Sequence, residues 1–195
     1  MSMRFFILLL LVSVTQACTP PPPKASINVE KEVFLSRHWN LAVLDLEYMP
    51  IEGTHQAGVV SSVSGAEDAG KIIASLLANE LGRLNNISIV ERNQMNDLLD
   101  EQKLQMSGVI DSSTASEIGK ILGADAVVIG SVSDYANWTA VLVPGSTVSF
   151  SMRMIDVETG KVITSGSITK VKEFTVAFEN AQNLARLLVA EIGQQ

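Results

Sequence analysis

The apolar residues of this chain change period several times between residues 40 and 195, and each change marks an element. Ala42, Leu44, Leu46 and Tyr48 alternate with Leu41, Val43, Asp45 and Glu47, which predicts a strand with one polar end. Ser64-x-x-Glu67 is a capping box, and Ala69, Ile72, Ile73, Leu76, Leu77, Leu81 and Leu84 follow at helical spacing until Asn85-Asn86. Ile87–Val90 predicts a short second strand, and Met95, Leu98, Leu99 and Met106 the apolar side of a further helix. Thr114-x-x-Glu117 is a second capping box, opening a helix that turns Ala115, Ile118, Ile121 and Leu122 inward and stops at Gly123. The run Gly123-Ala-Asp-Ala-Val-Val-Ile-Gly-Ser-Val132 is rich in β-branched residues and reads as a strand buried on both faces, at the centre of a sheet.

Beyond it Val148, Phe150, Met152 and Met154 alternate with Ser149, Ser151, Arg153 and Ile155. Asp156–Gly160 is a turn, and residues 161–169 run back, which predicts a β-hairpin. Phe178, Ala181, Leu184, Ala185, Leu188, Val189 and Ile192 then form the stripe of a closing helix. The expected fold class is α/β (α+β): a single mixed sheet flanked by amphipathic helices, over residues 40–195.

The pattern ahead of residue 40 is of another kind. Arg4 precedes the apolar run Phe5–Val14, too short to span a bilayer comfortably, and residues 1–17 read as a signal peptide cleaved after Ala17. Cys18 then stands where a bacterial lipoprotein carries its acyl chains; the other reading is an ordinary secretory signal with Cys18 incidental. Thr19 is not the Asp of an inner-membrane retention signal, so the expected address is the outer membrane, facing the periplasm. Residues 18–39 would form the lipidated Cys and a Pro-rich tether, with Pro20–Pro23 stiff and extended. Residues 25–37 either continue it or lie against the domain.

Charge and chemistry narrow the function. The 195 residues carry 14 Lys+Arg and 21 Asp+Glu, a net of −7, which argues against nucleic acid as a partner. A single cysteine excludes an internal disulfide, and lipidation would account for it. Asp45 and Glu47 share one side of a strand, but no His, Cys or third carboxylate lies nearby in sequence, so they read as a solvated strand end. His38 and His55 lack partners at ligand spacing and read as surface residues, so no metal is expected. Gly65-x-x-x-x-Gly70-Lys71 imitates a phosphate-binding loop, yet Ile72 replaces the metal-binding hydroxyl and Glu67 and Asp68 would repel phosphate. No nucleotide and no other cofactor is expected. The chain contains no G-x-S-x-G or H-E-x-x-H motif and no ligand-spaced cysteine set, so no catalytic residue is assigned and the expectation is a protein that is not an enzyme. Trp138 is either a ring packed on a strand extension or a contact for a partner.

The ordered set Ala42-Val-Leu-Asp45, the Ala/Leu-rich helix, Ile89-Val-Glu-Arg-Asn-Gln94 with Leu98-Leu99 and Glu101-Gln102, then Gly123–Val132 and Val157-Glu-Thr-Gly160, resembles the curli production assembly/transport component (CsgG) family over roughly residues 40–192. The resemblance implies a lipid-anchored outer-membrane homo-oligomer whose subunits add transmembrane β-hairpins to a barrel above a periplasmic α/β ring. This sequence departs from that pattern. Asn137–Val143 offers only a short excursion where a spanning strand needs about 9–11 residues, and Lys170–Thr175 leaves no room for a second hairpin. Residues 49–65 also lack the aromatics of the family's channel constriction. The expected protein is therefore like the family's periplasmic domain without full transmembrane hairpins. It would act in cell-envelope assembly or secretion by self-association or by docking to an envelope protein. The alternatives are an activator lipoprotein docking to a peptidoglycan synthase, similar to the penicillin-binding-protein activators, and an envelope enzyme.

Overall fold

The computed structural model describes residues 23–50, 59–62, 68–91, 110–140 and 143–194. Among them are eight strands, β1 (Lys24–Val29), β2 (Trp39–Val43), β3 (Glu47–Tyr48), β4 (Val59–Ser62), β5 (Ile87–Ile89), β6 (Ala126–Ala140), β7 (Val143–Asp156) and β8 (Val162–Glu173). Four helices accompany them: α1 (Lys31–Leu35), α2 (Ala69–Leu81), α3 (Ser112–Ile121) and α4 (Ala177–Gln194). The strands form one mixed sheet in the order β1-β8-β7-β6-β2-β5, with β3 and β4 also pairing to β6. β2 lies parallel to β5 and β6, while β6, β7, β8 and β1 are successively antiparallel.

Gly123–Val132 does what its composition predicts. Ala126, Val127, Val128 and Ile129 are all buried, because β6 lies between two apolar layers. Val128, Val132, Phe150, Met152 and Met154 face α2 and α4 in the larger core; Val127, Ile129 and Ile155 meet Ala115, Ile118 and Leu122 in the smaller core under α3. Gly123 ends α3 in the left-handed region at φ 63°, a conformation glycine adopts without a Cβ penalty. Gly130 lies under the β7 backbone, where a Cβ would overlap the Ser151 carbonyl.

Elsewhere the structure corrects the sequence expectations. The strand expected over residues 41–48 breaks after Val43. Leu44 N–H donates to Val128 O at 3.0 Å and Leu46 N–H to Gly70 O at 3.4 Å, so the chain crosses from the smaller core to the larger before β3 begins. Thr114 is not a cap. Asp111 is, its carboxylate accepting Thr114 N–H at 2.8 Å, and the helix starts two residues before Thr114. Ile121 is exposed rather than inward, since Leu122 and Ala124 already fill the end of the smaller core. α2 ends at Leu81, not Leu84, although Leu84 still packs on the core from the following turn. The excursion expected at Asn137–Val143 instead continues the sheet: β6 and β7 stay in register from Val127↔Ile155 to Ala140↔Val143, with one irregularity at Ser133. β4 pairs along this extension, at Ser62↔Asn137 through Val59↔Ala140. Of the two courses open to residues 25–37, the chain lies against the domain. β1 forms a sheet edge on β8, and α1 sends Phe34 into the core. The capping box at 64–67, the helix over 95–106, the signal residues and Cys18 lie outside the described residues.

Candidate functional site

Among the described residues the two sheet faces are covered unequally: α2 and α4 close one face, whereas α3 covers only part of the other. On the second face the alternation of β7 sets out Thr147, Ser149, Ser151 and Arg153, opposite the buried Val148, Phe150, Met152 and Met154. The pairing registers extend Ser151 into a row across four strands, Ser131–Ser151–Ser167–Ser26. Ser131 and Ser151 hydroxyls are 3.1 Å apart, Ser133 Oγ–H donates to Ser149 Oγ at 2.8 Å, and Ser149 and Thr169 hydroxyls are 2.7 Å apart.

Beside this row lies a cleft of about 570 Å³. Its floor includes Ser131, Ser151 and Ser167; Asp45, Glu47 and Arg153 stand among its walls, together with Asn28 and Met49. Asp45 and Glu47 thus share one site with Arg153, a residue whose part is hidden in sequence by an ordinary alternating hairpin. The serine hydroxyls bond to one another, and among the described residues neither a histidine nor a lysine lines the cleft. The arrangement sets hydrogen-bonding hydroxyls beside charged groups of both signs, Asp45 and Glu47 against Arg153. Among the described residues no group of three or more His, Cys, Asp or Glu is placed to hold a metal.

The other sequence candidates fall outside the cleft. His38 is exposed, with its Nε2 2.7 Å from Ser88 Oγ; His55 is outside the described residues. Gly70 is a packing glycine, not part of a phosphate cradle: a Cβ there would overlap the Leu46 carbonyl. Trp138 lies half-buried on the hydroxyl side of the β6–β7 hairpin. Its Nε1–H donates to Thr147 Oγ1 at 3.1 Å, and its ring lies over Gly145, where a Cβ would overlap it. Near the cleft Tyr48 is raised above its ordinary pKa, by burial first and then by the negative charge of Asp134; burial alone raises Tyr135.

Sequence reasoning missed Trp39, which is fully buried and donates its Nε1–H to Phe34 O at 2.9 Å. The Arg37 guanidinium lies 4.1 Å from the Trp39 ring centroid and pairs with Asp156 at 3.0 Å. A single Trp beside a His–Arg pair carries no periodic signal that could have placed it in the core.

Known proteins give this arrangement its context. The chain resembles the PelC dodecamer from Paraburkholderia phytofirmans with a TM-score of 0.58 at 18% identity, over 88% of this chain and 98% of that one. Lipoprotein GNA1162 from Neisseria meningitidis aligns with a TM-score of 0.54 at 17% identity, over 80% of this chain and 99% of that one. At these identities the likeness establishes a shared fold. No curated protein sequence matches the chain. The model of the curli production assembly/transport component CsgG matches residues 36–141, from ahead of β2 to just past β6, which is more than half of the 195 residues. The chain belongs to the CsgG family.

Proposed function

We propose that this protein is a non-enzymatic lipoprotein of the cell envelope that works by assembling with copies of itself. In this reading residues 1–17 are removed after Ala17, Cys18 carries the acyl chains, and the domain faces the periplasm from the outer membrane. The observation that carries the proposal is the likeness to a dodecameric protein over nearly the whole of both chains. Membership of the CsgG family supports it. Trp138 is a contact residue in this reading, through the part of its ring left exposed beside Gly145.

The test is mass measurement and electron microscopy of the purified mature protein. The expected result is a closed ring of identical subunits, with the mass of each raised by a diacylglyceryl and an acyl group on Cys18. A monomer at every concentration would remove self-assembly, and an unmodified Cys18 would remove the anchor. Replacing Asp45, Glu47 and Arg153 together separates assembly from catalysis. The proposal expects the triple variant to keep its fold, and any envelope phenotype it shows to follow loss of the ring or partner rather than loss of turnover.

A further inference from the structure

The end of the sheet at which β8 passes into α4 is apolar and open. Val171 is 57% exposed, Phe174 73%, Val176 54% and Phe178 50%, four large apolar side chains within eight residues. Phe174 also holds φ at 52°, a left-handed conformation that is an outlier for a bulky residue. Its N–H donates to Pro144 O at 2.8 Å, which ties this corner to the exposed proline at the start of β7. A strained backbone that presents a phenylalanine to water costs stability twice in the isolated chain.

The start of β1 fixes where the chain enters the domain relative to this corner. Lys24 pairs with Thr169, and β1 runs down the sheet from there, so the chain enters the domain alongside the upper part of β8. From Thr169 to Glu173, β8 climbs about 13 Å at roughly 3.3 Å per residue. Cys18 is six residues ahead of Lys24, a reach of about 19 Å when extended at roughly 3.1 Å per residue. Acyl chains on Cys18 therefore hold the bilayer close to the level of Phe174 and cannot let it recede further than that short span. Charge fits the same orientation. Lys24, Lys170 and Lys172 stand around the corner against Glu173 and Glu179, in a chain where acids outnumber bases 21 to 14. Basic groups beside apolar ones suit an anionic lipid surface.

We propose that the corner formed by Val171, Phe174, Val176 and Phe178 rests in the interfacial layer of the bilayer that holds the anchor. This makes the domain a doubly attached peripheral protein with a fixed tilt. The proposal rests on the anchor at Cys18, and its test tells the two apart.

The full acylated protein is reconstituted into vesicles of phosphatidylethanolamine and phosphatidylglycerol with brominated acyl chains, which quench tryptophan only at short range. Phe174→Trp and Phe178→Trp are compared with the parent protein and with Leu187→Trp, an exposed position nine residues beyond Phe178 on α4, about 13 Å further down the helix at a rise of about 1.5 Å per residue. Melting curves confirm that each variant folds, and intact mass reports the acyl groups. Extra emission from positions 174 and 178 is expected to be largely lost in brominated vesicles, with that from 187 retained. An acylated protein in which all three positions escape quenching overturns the bilayer contact and leaves the anchor standing. Quenching at 174 and 178 without acyl mass removes the anchor and supports the contact. Emission at 174 that shifts to the blue with protein concentration, before vesicles are added, assigns the corner to a second copy and overturns the proposal.

Discussion

Single residues in this chain act mostly through the space they leave. Gly70 lets α2 start against the Leu46 carbonyl, and it is this approach that bends the chain between β2 and β3. Gly70→Ala is expected to cost about 1–3 kcal/mol, since backbone rather than a flexible side chain must move. Chemical denaturation checks it, and an unchanged midpoint would show that the junction relaxes freely. Asp111 acts instead through charge. Thr114 N–H holds its carboxyl below the ordinary carboxylate range, with further help from the hydroxyl of Ser113. A depressed carboxyl stabilises the fold above its unfolded pKa, and that contribution is lost as pH falls through the lower folded value. Amide exchange in the first turn of α3 should therefore quicken below the usual carboxylate range, and Asp111→Asn should flatten that dependence.

At the scale of elements, α4 is joined to the sheet by more than its apolar stripe. Asn180 is fully buried and donates from Nδ2 to Ser146 Oγ and Lys170 O, both at 3.2 Å, so that one side chain ties α4 to β7 and β8. Asn137 Oδ1 accepts Ala177 N–H at 2.7 Å, which fixes the start of the helix from β6. Asn180→Ala leaves the partner groups unmet and is expected to cost about 1–3 kcal/mol. Thermal melting would show it, and a loss within a few tenths would mean that water replaces the amide. The closing helix was legible from its 3.6-residue stripe, including Leu184 and Leu188, because a helix on a sheet buries one face. Asn180 was not, because a buried amide in sequence looks like any surface polar residue.

For the whole molecule, one larger core links α1, α2, α4 and the sheet. Leu184 is fully buried within it, so Leu184→Ala should remove about 2–5 kcal/mol while unfolding stays a single transition. A split transition would show that the β6–β7–β8 extension unfolds separately. The candidate cleft also belongs to this scale. Asp45 and Glu47 were visible in sequence as paired carboxylates, and the alternation placed Ser149, Ser151 and Arg153 on one strand face. Nothing local put the two sets together, because the contact depends on β3 and β7 lying either side of β6.

Sequence alone determined the identity of most elements, the buried β6, the closing helix and the resemblance to the CsgG family. The elements follow from periodicity and β-branching, which a strand or helix expresses within its own length, and the resemblance rests on the ordered motifs from Ala42–Asp45 to Val157–Gly160. Tertiary structure decided where strands end, which residues cap, and how the chain enters the domain. β6 continues to Ala140 because β4 and β7 satisfy its backbone, Asp111 caps because its carboxylate reaches Thr114, and Lys24–Val29 is a strand because β8 offers an open edge. Each is a hydrogen bond to a distant or off-pattern partner, and that is the information a periodic reading does not contain.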